Sequence, residues 1–133
     1  MKIVVGFIDT REGHAAVDAA IAEARLRGGS LVIVNSMYGG SREKEEDYVS
    51  TAEAFETLQE RLRSEGVAFE AHEYVRGKTP AEDLVTAARD HDAAMIVIGI
   101  RRRSSTGKLL LGSNALDILH DATVPVLCVK AAL

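Results

Sequence analysis

The chain has 133 residues, enough for one domain that buries about two-thirds of the surface its unfolded form would expose. At 47% hydrophobic and 27% charged residues it is too apolar for a disordered chain, yet no run nears the ~18 apolar residues of a membrane span. A net charge of −4 excludes a general nucleic-acid binder, which needs a basic face, and the single cysteine, Cys128, excludes an internal disulfide or a multi-cysteine metal site.

Lys2 to Ile8 is a short β-branched run, as expected for a central strand buried on both faces. It follows Met1 with no signal-peptide pattern, so a cytoplasmic location is expected. Asp9 to Gly13 supplies turn chemistry. From His14 the apolar residues Val17, Ala20, Ile21 and Ala24 recur at helical spacing until Gly28 and Gly29 end the helix. Leu31 to Val34 is the second strand. Asn35 to Gly40 then leads into a polar loop carrying Glu43, Glu45, Glu46 and Asp47.

Tyr48, Ala52, Phe55, Leu58 and Leu62 set the buried stripe of a longer helix that stops at Gly66. Val67 to Val75 alternates imperfectly, as a half-exposed edge strand does, with Glu70, His72 and Tyr74 on one side. Thr79 can cap the next helix and Pro80 takes its first position, with Ala81, Leu84, Val85 and Ala88 facing the core. Ala94 to Gly99 is a second central strand. Ser113 to Asp121 forms the last helix, expected to turn Leu116 and Leu119 inward. Val124 to Lys130 closes the chain as a strand with Pro125 at its start or on an edge, and with Cys128 as a small buried side chain.

Alternating strands and helices, joined by connections long enough for right-handed crossovers, predict a single domain over residues 1–133. It should be a three-layer α/β/α fold with a parallel sheet. In a five-stranded sheet ordered 3-2-1-4-5, the strand order reverses between the first and fourth strands, where such sheets bind ligands. The loops Asp9 to Gly13 and Gly99 to Gly112 would then face one crevice. The second loop carries Arg101, Arg102, Arg103 and Lys108 within eight residues and runs into a helix start at Gly112, Ser113 and Asn114. Free amides and the positive end of the helix dipole favour an anion there, and phosphate is the natural guest. Gly99, Gly107 and Gly112 permit close backbone approach or positive φ, and Ser113 adds a hydroxyl. Neither a Walker A loop nor a Gly-x-Gly-x-x-Gly turn is present.

These residues resemble the universal stress protein family, in its nucleotide-binding branch. That branch carries Gly-x-x-Gly, nine residues, then Gly-Ser or Gly-Thr. Here Gly99 starts the motif, Arg102 stands where the second glycine would be, and after nine intervening residues Gly112 and Ser113 keep the spacing. Pro125 to Val129 is similar to the family's closing strand. The resemblance implies a Rossmann-like fold akin to the adenine nucleotide alpha hydrolases and a stress-linked regulator that binds ATP or AMP, with Mg²⁺ as an allowed companion. Adenine would be read near Ser36. Arg102 could crowd the phosphates or pair with them through its guanidinium, and pairing is the preferred reading. The family's aspartate at the end of the first strand has its nearest equivalent in Asp9, followed by Thr10. A gapless match puts Ile8 there instead.

The resemblance also implies a homodimer joined through the last strands, Val124 to Lys130, which would otherwise leave an apolar edge. Catalysis is not required. His14, His72, His91 and His120 are scattered, without a His-x-x-x-His pair, and read as surface or capping groups rather than metal ligands. Slow ATP hydrolysis is the most enzymatic activity this reading allows. The competing reading is a dimeric interaction module of the same family that binds no nucleotide.

Overall fold

A computed structural model describes residues 1–37, 45–75, 78–101 and 111–131. Five strands, β1 (Lys2–Gly6), β2 (Ser30–Met37), β3 (Phe69–Val75), β4 (Met95–Ile100) and β5 (Val126–Lys130), alternate with four helices. These are α1 (Arg11–Arg27), α2 (Glu45–Ser64), α3 (Pro80–Asp90) and α4 (Ser113–Asp121). All strand pairs are parallel, in the order β3-β2-β1-β4-β5. The expected α/β/α sandwich and strand order are both present.

The two-residue period of a strand divides the core. Ile3, Val5, Leu31, Ile33 and Val97 project to one face, where they meet Val17, Ala20 and Ile21 of α1 and Phe55, Leu58 and Leu62 of α2. Val4, Val32, Val34, Ile96 and Ile98 project to the other, against Ala81, Leu84, Ala87 and Ala88 of α3 and Ile118 of α4. Strands buried on both faces explain why the β1, β2 and β4 segments read as continuous apolar runs.

Helix ends follow the capping residues. The Thr10 hydroxyl accepts from the Gly13 amide at 3.1 Å, so α1 begins at Arg11, earlier than the periodicity from His14 suggests. Gly28 closes the same helix in the left-handed region at φ 66°, donating to the Ala24 carbonyl. Thr79 caps α3 by accepting from Glu82, with Pro80 in the first turn.

One inward face differs from expectation. On α4 the residues packed against the core are Ala115 and Ile118, continued by Leu111 and Ala122. Leu116 and Leu119 are 52% and 41% exposed. The helix therefore lies on the stripe 115, 118, 122, turned about one position from the leucine stripe. Cys128 is half-buried, not fully enclosed.

Candidate functional site

At the carboxyl ends of β1 and β4, where strand order reverses, lies a cavity of about 150 Å³. Its walls are mostly apolar: Phe7 and Ile8 follow β1, Ile98 belongs to β4, Leu84 to α3 and Ile118 to α4. Asn114, second residue of α4, contributes a polar group.

Two glycines bring the elements around this cavity together. A Cβ at Gly13 would lie 1.9 Å from the Ile8 carbonyl oxygen, and one at Gly99 would lie 2.1 Å from the Glu12 carbonyl oxygen. The first turn of α1 thus rests directly on the ends of β1 and β4, an approach only glycine permits. Gly99, read from the sequence as a phosphate-loop glycine, has this second and independent reason to be a glycine.

The start of α4 is built differently. Gly112 is its N-cap, in extended conformation at φ −69° and ψ 167°, and offers no side-chain acceptor to the first-turn amides. A Cβ there would meet none of the described residues within 4 Å. Ser113 is the first helical residue and is exposed. With Asn114 on the cavity wall, the positive end of α4 opens at the crevice, and its leading amides have no partner within their own helix.

On the β1 side, Asp9 lies outside the cavity wall that Ile8 lines. Its Oδ1 accepts from His14 Nε2 at 2.8 Å, and the His14 ring stands edge-on to Phe7 with centroids 5.2 Å apart. Thr10 sits beside it with its hydroxyl oxygen engaged as the α1 cap. Arg101 follows β4 and is tied to the rim, its Nε 3.5 Å from Glu12 Oε1. Because the Arg101 side chain is 70% exposed, this pair is worth at most about 1 kcal/mol and can open toward an anion. Ser36 lies in β2, opposite Tyr74 of β3. Arg102, Arg103, Gly107 and Lys108 lie outside the described residues.

The apolar wall is not visible in the sequence. Ile8, Leu84, Ile98 and Ile118 all fall in runs that local periodicity assigns to core, and only the sheet order reveals that they share a crevice. The histidines also depart from the scattered arrangement expected of them: His72 and His91 come together beside Glu70.

The profile of the universal stress protein family matches residues 1–130. The chain belongs to the universal stress protein family. A universal stress protein of Mycolicibacterium smegmatis is 38% identical over 128 residues, covering 96% of each chain. A universal stress protein structure from Archaeoglobus fulgidus superposes with a TM-score of 0.82 at 44% identity, covering 98% of both chains. Another from the same organism, determined in complex with dAMP, gives a TM-score of 0.74 at 38% identity and again covers 98% of both chains. Family membership thus accords with the parallel sheet and with the crevice at its switch point. Among the described residues no helix is long and apolar enough to cross a membrane.

Proposed function

We propose that this universal stress protein binds an adenine nucleotide, ATP or AMP, in the crevice between β1 and β4 and acts as a stress-linked regulatory protein. The observation that carries this reading is the glycine-capped start of α4 opening onto an apolar cavity at the switch point. At about 150 Å³ the cavity is smaller than the ~300–1,000 Å³ of typical ligand pockets. It would enclose part of the ligand and leave the phosphates to the α4 amides at the mouth. Gly112, Ser113 and Asn114 would meet the phosphates, joined by Arg101, Arg102, Arg103 and Lys108 as cations and by Gly99 and Gly107 as close-approach positions. Asp9, Thr10 and the backbone near Ser36 would hold the ribose and base. The Archaeoglobus fulgidus relative in complex with dAMP, 38% identical over 98% of both chains, supports the adenine preference.

Native mass spectrometry of freshly purified protein and thermal shifts with ATP, AMP and cyclic AMP test this. A nucleotide at a hundred times its dissociation constant stabilises the fold by about 2.7 kcal/mol. No shift with any of them at millimolar concentration would overturn the proposal.

A homodimer through the last strands belongs to the same reading. β5 is an edge strand whose apolar residues are only half-covered, and Leu116 and Leu119 stand exposed on the helix leading into it. Light scattering should give twice the 14.3 kDa chain mass. A monomer at every concentration would contradict it.

A further inference from the structure

None of the residues lining the crevice belongs to a second cluster, built where the edge strand β3 meets the end of α3. Glu70 and His72 are alternate residues of β3 and so project from the same face of the sheet. His91 is the C-cap of α3, fixed there by its amide's bond to the Ala87 carbonyl at 3.0 Å. The helix brings His91 back over β3, where its ring centroid lies 5.0 Å from that of His72. His72 Nε2 is 3.9 Å from Glu70 Oε1, and His91 Nδ1 is 3.9 Å from Glu70 Oε2. One ligand atom from each residue falls within 4.8 Å of the others.

Three features point to a metal ion. Two imidazoles and one carboxylate are the donor types of a zinc site that keeps an open position. Ligand atoms about 2.0–2.2 Å from a tetrahedral zinc ion are roughly 3.4 Å from one another, so the two imidazole–carboxylate separations, each to a different oxygen of Glu70, need close by about half an ångström, and no pair of ligand atoms, all within 4.8 Å of one another, needs close by more than about 1.5 Å. The His72 Nε2 atom, finally, is screened from solvent and has no hydrogen-bond partner among the described residues, although the side chain as a whole is 36% exposed. A polar nitrogen shut off from water without a partner is costly, and a metal ion would relieve that cost. The present competitor is the Lys2 ammonium, 2.9 Å from Glu70 Oε2. Lys2 is 40% exposed and can withdraw into solvent.

We propose that Glu70, His72 and His91 form a zinc-binding site that clips the edge strand β3 to the C-terminal end of α3, with water or an external ligand in the fourth position. The ion binds neutral imidazoles and an ionised carboxylate, and Lys2 leaves Glu70 as it enters. Magnesium, which demands oxygen ligands in octahedral array, is a poor occupant.

The test uses the full chain without an affinity tag. Zn²⁺ alone is titrated in competition with a chromogenic chelator, and the imidazole resonances are followed by NMR. The expected result is one Zn²⁺ per chain, with shifts at His72 and His91 and none at His14 or His120. His91→Ala and His72→Ala should each weaken binding by about tenfold or more, whereas Lys2→Met should strengthen it. Zn²⁺ should also raise the unfolding temperature of the wild type but not of His91→Ala. The NMR titration needs only the wild-type chain, so it discriminates even where a variant fails to fold. Absence of saturable binding would overturn the proposal, as would binding that shifts His14 or His120 and leaves His72 and His91 unmoved.

Discussion

Adding one methyl group at Gly99 should destabilise the protein more than the same change at the more exposed Gly112. The new Cβ of Gly99→Ala would lie 2.1 Å from the Glu12 carbonyl oxygen and 2.5 Å from its carbon, and both are backbone atoms. Ordinary contact begins at 3.4 Å, so the start of α1 would have to lift by more than an ångström. It has little freedom to do so. Thr10 caps it, Gly13 presses on the Ile8 carbonyl, and Ala16 and Val17 are fully buried in the next turn. Overpacking that side chains can absorb costs ~1–3 kcal/mol, and a backbone clash sits at the upper end or above. We therefore expect about 3 kcal/mol, a large part of the ~5–15 kcal/mol that holds such a domain together, and a melting temperature lower by roughly 10 °C. Gly112→Ala is the control, because its φ of −69° suits any residue and its Cβ meets none of the described residues. It should cost no more than about 1 kcal/mol, the N-cap preference for glycine over alanine. Urea unfolding followed by circular dichroism measures both. If Gly99→Ala unfolds at the same midpoint as Gly112→Ala, the tight seating of α1 on β4 is wrong.

Three further outcomes follow from single residues. Burial pushes the Cys128 thiol above its ordinary value. Its contribution to stability is thus complete below about pH 8.5 and is lost as pH rises through the folded value; Cys128→Ser should flatten that alkaline loss in urea titrations, and a thiol reagent should modify the folded chain more slowly than the unfolded one. The hydrogen bond from His120 Nδ1 to Asp121 raises the His120 pKa, so its NMR titration should lie above that of an ordinary imidazole and return toward it in Asp121→Asn. Thr79→Ala removes the acceptor for the Glu82 amide and should cost about 1 kcal/mol in urea unfolding, most of it recovered by Thr79→Ser.

Much of the architecture is legible in the sequence, because a strand buried on both faces leaves a continuous apolar run and a capped helix leaves its cap. β1, β2 and β4 are visible for the first reason and the start of α3 for the second. The start of α1 is not, since Arg11, Glu12 and Gly13 look like a turn until it is known that Gly13 serves a tertiary contact with the Ile8 carbonyl. A glycine required by packing is indistinguishable in sequence from one required by a turn. α4 misleads because nine residues are too few to fix a stripe: the sequence favours Leu116 and Leu119, whereas the smaller Ala115 fits beside Ile118 against the core. Gly112 and Ser113 mark the helix start at the crevice, but its apolar wall is assembled from four elements distant in sequence. The same holds for His72 and His91, which meet only because α3 returns its end over the edge strand.

Whether the crevice beside the α4 start holds an adenine nucleotide is decided by calorimetric titration of AMP and ATP into wild type and Gly112→Val. The side chain of Gly112→Val meets none of the described residues within 4 Å of its Cβ but would project beside the amides proposed to meet the phosphates. The expected result is saturable binding to wild type that weakens by about tenfold or more in the variant, roughly 1.4 kcal/mol or above, while the two proteins differ in unfolding free energy by no more than about 1 kcal/mol. Equal affinity in the two proteins, or no binding to wild type at millimolar nucleotide, would contradict it.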